Sequence, residues 1–220
     1  MGGNESTNES TADEAQAGDG RPLTRRGRQT RQRILAAAAE LMLENGVAET
    51  TLEDIRAAAG VSGSQVYHYF ADKQALVRSV IDYQADAVLD IQGAYLDHLD
   101  TMPGLRAWRD FLVDHQRRLG CQGGCPIGAL GAEVAETDAI ARLAAAKGLG
   151  RWEARIRDGL RAMHIRGDLP AATDPDDLAL ATLAALEGGL LLTQLRRETT
   201  PLEVALDTML DRIQALTETA

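Results

Sequence analysis

The sequence predicts an all-α protein, with a small three-helix N-terminal domain, a larger helical body and about nine helices in all. Three observations carry this. Alanine and leucine are abundant while Phe, Trp and Tyr make up only 4% of the 220 residues, which favours helix over sheet. Apolar residues recur at intervals of three and four along most of the chain. The runs are bracketed by helix punctuation, with Ser, Thr or Asp ahead of them and Gly or Pro behind.

Taken in order, residues 1–20 lack any apolar period and are expected to be disordered. The first helix is expected from Thr30 to Asn45, with Ile34, Leu35, Ala38, Leu41 and Met42 on one side and Gly46 as its stop. Thr51 caps a short second helix with Glu53 and Asp54 in its first turn and Leu52, Ile55 and Ala59 as apolar positions. Gly60 stands where the chain must turn sharply, a place that favours positive φ. Ser62 caps a third helix, whose Val66 and Phe70 face inward. Asp72 caps a fourth, in which Leu76, Val80, Tyr83, Ala87, Ile91 and Tyr95 recur. Pro103, Pro126, Asp138, Asp174-Pro175 and Thr200-Pro201 open five more. The expected division is an acidic tail leading to a basic arm over 1–24, a small helical domain over 25–75 and a larger helical domain over 76–220.

The formal charge of -10 is unevenly spread. Residues 1–20 carry five acids and no base, and residues 81–220 carry twenty-two acids against fourteen bases. Only residues 21–80 are net basic, with nine Lys/Arg against six Asp/Glu, and Arg21, Arg25, Arg26, Arg28, Arg31 and Arg33 cluster there. That is an electrostatic footprint for DNA on an otherwise repellent body. The N-terminus lacks the basic-then-apolar order of a secretory signal. The apolar run Leu178–Leu195 is interrupted by Glu187, Gly188 and Gly189 and reads as a core helix rather than a membrane span. A cytoplasmic protein without a membrane partner is expected. Two cysteines make no disulfide framework, and the four histidines have no metal-ligand spacing. No cofactor is expected. Nucleophile elbow, phosphate loop and dinucleotide fingerprint are all missing from the sequence, which argues against an enzyme.

The basic segment also holds the most specific motif. Residues 51–73, TLEDIRAAAGVSGSQVYHYFADK, place two short helices around a glycine turn. The second carries Ser64, Gln65, Tyr67, His68 and Tyr69, groups that hydrogen-bond or stack, on a helix too short to need them for solubility. A helix-turn-helix that reads the major groove requires this arrangement. The plainer alternative makes Tyr67 and Tyr69 core aromatics and the arginines a solvated tail.

Residues 30–80 resemble the DNA-binding domain of the TetR family of bacterial transcriptional regulators. The resemblance rests on Ile34-Leu35, Asn45-Gly46, Thr50-Thr51, Ile55, Ala59-Gly60-Val61-Ser62, Tyr67, Tyr69-Phe70, Asp72-Lys73 and Leu76. The run GGCPIGALGAE is similar to a segment of the multidrug- and lincomycin-type branch. The resemblance implies a dimer on a palindromic double-stranded operator, with a repressor released by a small apolar or amphipathic effector as the expected function. An activator of the same fold is the alternative. Gln65, Tyr67 and His68 match positions from which the family touches bases or adjacent backbone, and glutamine can pair bidentately with adenine. Thr51, Ser62, Ser64, Tyr69 and Lys73 are matched to phosphates, and Arg25, Arg26 and Arg28 to the backbone or minor groove. Gly63 departs from the family, many of whose members have Lys or Arg there, as does Arg56, where relatives carry a small Ala.

In the body, the expected ligand-lining residues are Trp108, Phe111, Leu112, His115, Leu130, Trp152, Met163, Leu186 and Gln194, most of which sit at helical core spacing. Leu202, Leu206, Met209, Ile213 and Leu216 are spaced 4, 3, 4, 3 and, with Leu183, Leu190 and Leu191, form the expected dimer interface. Cys125 at a helix start has either a packing role or a lowered pKa with Cys121 as its resolving thiol.

Overall fold

The computed structural model describes residues 23–220 as ten α-helices, with no strand among them. The acidic segment 1–20 and Arg21 lie outside the described residues. The first helix, α1 (Arg25–Asn45), starts five residues before the expected Thr30, because the Thr24 side chain caps it by accepting from the Gly27 N–H at 3.1 Å. Arg25, Arg26, Arg28, Arg31 and Arg33 are therefore helical rather than an extended arm.

Two short helices follow, α2 (Leu52–Ala59) and α3 (Gly63–Tyr69), joined through Gly60 in the left-handed region at φ 63°. No atom crowds the place where a Gly60 side chain would stand, so the backbone conformation rather than space demands glycine. Ile34, Leu35, Ala38 and Met42 of α1 share a core with Ile55, Val66 and Phe70.

The expected long fourth helix is two, α4 (Lys73–Asp90) and α5 (Gly93–Leu96). Gln92 marks the break. Its side chain is buried, donates to the Val88 carbonyl at 2.6 Å and accepts from Trp108 Nε1 at 2.9 Å. Helices α6 (Met102–Arg118), α7 (Pro126–Val134), α8 (Ala139–Arg166), α9 (Pro175–Arg196) and α10 (Thr200–Thr217) complete the body.

The apolar side of α10 (Leu202, Leu206, Leu210, Ile213) is buried against α9 and α6 of the same chain. Gly189 lets α9 and α10 approach closely, since a Cβ there would meet Leu202 Cα at 3.0 Å. Arg106, Arg109 and Arg117 of α6 pair with Asp211, Asp207 and Glu203 of α10 at 2.6–2.7 Å. Such partly exposed pairs are worth about 0–1 kcal/mol each, against roughly 1.5–3 for each buried leucine, so apolar burial docks the helix and the ion pairs align it. By length and composition α9 passes for a membrane span, but it packs on α8 and α10 as a core helix.

Packing within the chain covers most of the residues of the expected dimer seam. Leu183, Leu190, Leu202, Leu206 and Ile213 are buried in the subunit's own core, and Met209 and Leu216 are half-buried. The 4, 3, 4, 3 spacing finds its partner helices within the chain. Of the expected set only Leu191 is exposed, on an outward stripe of α9 formed by Leu180, Ala184, Gly188, Leu191 and Leu195, with Val204 of α10 also exposed.

Candidate nucleic-acid interface and internal cavity

Reciprocal caps set the geometry of the two short helices. The Thr51 N–H donates to Asp54 Oδ2 at 3.0 Å while the Asp54 N–H donates to Thr51 Oγ1 at 3.2 Å. Hydrogen bonds from Thr51 hold the Asp54 carboxyl below its ordinary pKa. On α3 the Ser62 N–H donates to Gln65 Oε1 at 2.9 Å and the Gln65 N–H to Ser62 Oγ at 3.3 Å. This cap bears on the bidentate reading of Gln65: its oxygen is engaged, which leaves the amide NH2 to reach outward. The Thr51 hydroxyl is likewise engaged by Asp54.

Tyr67 is 62% exposed and His68 is exposed, which rules out a core role for Tyr67. Tyr69 is half-buried, with its ring edge-on to His68 at 4.9 Å. Ser62 and Ser64 are exposed and their hydroxyls lie 2.9 Å apart. Val66 and Phe70 are buried beneath them. Tyr67, His68, Ser64 and the Gln65 amide thus share one short helix, with polar tips and apolar edges turned to solvent. Nothing in the chain's own packing requires that face.

Arg25, Arg26 and Arg28 occupy the first turn of α1, where no acid stands. A helix N-terminus disfavours cations by a few tenths of a kcal/mol each, so three exposed arginines there are unfavourable until an anion arrives. Arg28 also donates to the Leu23 carbonyl at 2.7 Å, and Arg31 lies 5.5 Å over the Phe70 ring, tying α1 to the end of α3. The two departures from the family meet in space. Arg56 Cδ stands 3.9 Å from where a Gly63 side chain would begin, and its guanidinium pairs along α2 with Glu53, Nε to Oε2 at 2.9 Å. A Cβ at 63 would stand in ordinary contact with the arginine stem.

Lys73 donates to the Ala48 carbonyl at 3.0 Å, and Glu133 of α7 accepts from the Ala48 N–H at 3.1 Å. One residue just before α2, Ala48, is thereby held at both its N–H and its carbonyl. Lys73, expected at a phosphate, has this anchoring role within the chain.

A cavity of about 270 Å³ lies in the body, and Leu43 of α1 reaches its wall. Phe111, Leu112, His115 and Trp152 line it as expected. Trp108, Leu130, Met163 and Leu186 do not: Trp108, Leu130 and Leu186 are buried in the core, and Met163 lines a separate shallow concavity with Thr101 and Arg166. Gln194 lines a separate concavity with Cys125 and Glu187. Gln84, Gln92, Gln116, Cys125 and Leu190 also line the main cavity and were missed. Gln116 had a readable signal, because it continues the core stripe Leu105, Trp108, Leu112 with a polar residue. Burial, reinforced by the Glu187 carboxyl, pushes the Cys125 thiol far up, although its sulfur caps α7 by accepting from the Gly128 N–H at 3.4 Å. Desolvation overrides the helix terminus, so the thiol is protonated and the packing role fits. Among the described residues no group of three His, Cys, Asp or Glu could hold a metal.

A head of three helices with an outward polar face is set on a helical body with a partly open cavity, and the chain belongs to the TetR family of transcriptional regulators. The profile of bacterial regulatory proteins of the tetR family matches residues 34–80, and the tetracyclin repressor-like C-terminal domain matches 101–209. The transcriptional regulator AcuR of Cereibacter sphaeroides is 30% identical over 173 residues, covering 78% of this chain and 79% of that protein. The repressor DhaR of a Mycobacterium species is 25% identical over 86% of this chain and 94% of its own. Among solved structures, a TetR regulator from Chloroflexus aurantiacus superposes with a TM-score of 0.74 at 29% identity, covering 87% of this chain and 97% of that one. The regulatory protein TetR from Rhodobacter sphaeroides gives 0.72 at 26%, covering 83% and 97%. These matches establish the family without singling out its multidrug- and lincomycin-type branch.

Proposed function

We propose that this chain is a cytoplasmic, ligand-responsive repressor that binds a palindromic operator as a homodimer and is released by a small apolar or amphipathic molecule. The observation that carries the reading is the continuity between cavity and reading head. Leu43 of α1 stands in the cavity wall, and so do Cys125 and Pro126 at the start of α7, whose Glu133 holds the Ala48 peptide next to α2. A molecule that moves α7 or Leu43 acts on the head directly. The equilibrium between DNA-competent and DNA-incompetent dimers then shifts by the ligand's preference between them and no further.

Tyr67, His68, Ser64 and the Gln65 amide enter the major groove. Arg25 and Arg26, with the free N–H groups at the α2 N-terminus, bind phosphates. The exposed stripe Leu180, Ala184, Leu191 and Leu195 of α9 joins two subunits, an arrangement that two half-sites require. Selection of bound fragments from the source genome, followed by footprinting, tests this reading. Two protected half-sites about one helical turn apart, or a multiple of that, are expected. Protection of a single unpaired half-site contradicts the dimer, and release of DNA by no compound of a broad library contradicts the ligand response.

A further inference from the structure

The arginines of the head lack the partners that arginines of the body have. Arg106, Arg117, Arg151, Arg155 and Arg161 each pair with an aspartate or glutamate. Residues 25–33 hold five arginines and no acid, and none of the five is in an ion pair among the described residues. Arg25, Arg26, Arg28 and Arg33 are exposed. Like charges three and four residues apart on a helix repel, and the positive end of the α1 dipole adds to their cost.

Two of these arginines border a groove. Arg26, Gln29, Gln32 and Arg33 of α1 line, with Tyr83 of α4, an open concavity of about 820 Å³. No described residue of its lining is acidic. The seven residues from Arg26 to Arg33 rise about 10 Å along the helix. Positive charge and amide donors spread over that length suit an extended anion.

The chain carries such an anion directly upstream. Segment 1–20, outside the described residues, holds Glu5, Glu9, Asp13, Glu14 and Asp19 without a base, so its charge of -5 is equal and opposite to that of residues 25–33. Asp19 precedes Arg26 by seven residues and Asp13 precedes it by thirteen. At about 3.3–3.6 Å per residue, that much chain spans the groove after one reversal. Gly18 and Gly20 flank Asp19, and glycine accepts a reversal at the least steric cost. Tethering keeps the acids near the groove at a local concentration on the order of millimolar.

We infer that the acidic segment over residues 5–19 docks in the groove between α1 and α4 and competes with DNA phosphates for Arg26 and Arg33, so that the chain carries its own brake on DNA binding. The brake rests on the DNA-binding reading above; the docking does not.

The full chain with its five acids neutralised together (Glu5→Gln, Glu9→Gln, Asp13→Asn, Glu14→Gln and Asp19→Asn) tests both parts. Without DNA, the amide resonances of residues 26–36 and of Tyr83 are expected to differ between parent and variant at about 50 mM salt. They are expected to coincide at about 1 M, where the Debye length falls to about 3 Å. Coincident signals at both salt concentrations overturn the docking, whether or not the protein binds DNA.

On an unrelated short duplex at low salt, neutralisation is expected to tighten binding about three- to tenfold. With Arg26→Gln and Arg33→Gln also in place, DNA binds more weakly and the same neutralisation is expected to gain less than about twofold. An equal gain in both backgrounds means that the acids only repel DNA from a distance, and overturns the inference. So do groove signals that ignore the acids but move when duplex is added, because DNA phosphate is then the occupant. Acid-dependent groove signals in a protein that binds no duplex uphold the docking and overturn the brake together with the regulator reading.

Discussion

The reading head and the body expose opposite signatures of function. On α3 the signal is a surplus: Tyr67 is 62% exposed, with His68 and Ser64 exposed beside it. In the body the signal is a deficit: Gln116 Oε1 and Trp152 Nε1 are buried without partners. A surplus on the surface costs little stability, whereas an unmet polar atom inside is costly to the apo fold. The two regions should therefore respond to substitution in different currencies, affinity at the head and stability in the body.

Variants of the body's solid core should have the largest effect. Trp108→Ala removes a fully buried indole and its bond to Gln92, and Leu206→Ala opens a hole between α10 and its neighbours. Chemical denaturation should show losses of about 3–5 and 2–5 kcal/mol respectively. A small loss at Trp108 would make it a cavity wall after all. Next comes the outward stripe. Leu191→Glu should yield a folded monomer by sedimentation and weaken operator binding by roughly a hundredfold or more through lost bivalency. A dimer that survives this change would move the interface elsewhere.

At the head, Tyr67→Ala should cost about ten- to a hundredfold in operator affinity while the thermal midpoint stays put. A comparable fall in stability instead would return Tyr67 to a structural role. Glu133→Ala, which frees the Ala48 N–H, should destabilise the head by about 1 kcal/mol and speed amide exchange just before α2.

The smallest effect belongs to Glu187. Burial raises its pKa above the ordinary 4.5, so the folded state keeps its proton to a higher pH than the unfolded chain does. Its contribution to stability is therefore present below 4.5 and lost as pH rises through the folded value. Glu187→Gln should melt about 2 °C above the parent at neutral pH, with the gap closing as pH falls toward 4. A gap independent of pH would show that folding does not raise the Glu187 pKa.

Most of the helical order was readable from punctuation. Thr51, Ser62, Asp72, Pro126, Asp138 and Asp174 sit at or next to the helix starts they predict, Gly46 ends α1 as expected, and Gly60 adopts the positive φ expected of it. Caps are local, so a linear sequence shows them. Packing partners are not local. The seam on α10 announced a partner helix without saying that α9 and α6 of the same chain would supply it. For the same reason Trp108, Leu130, Met163 and Leu186 could not be sorted from Phe111 and Trp152, since all carry the same apolar period and only the tertiary fold decides which of them faces a void. Side-chain engagement was hidden too, as Gln65 and Lys73 spend hydrogen-bonding capacity inside the head.

One gel-shift experiment tests the central claim that the exposed face of α3 reads a specific DNA site. Wild-type protein and Tyr67→Ala are compared on DNA flanking the protein's own gene, and on fragments selected from the genome, with excess unrelated DNA at two salt concentrations. The account predicts a discrete wild-type band that survives competitor and weakens with salt, and that is lost in the variant although its fold is intact. An equally strong, competitor-resistant band from Tyr67→Ala, or no such band on any fragment, would contradict it.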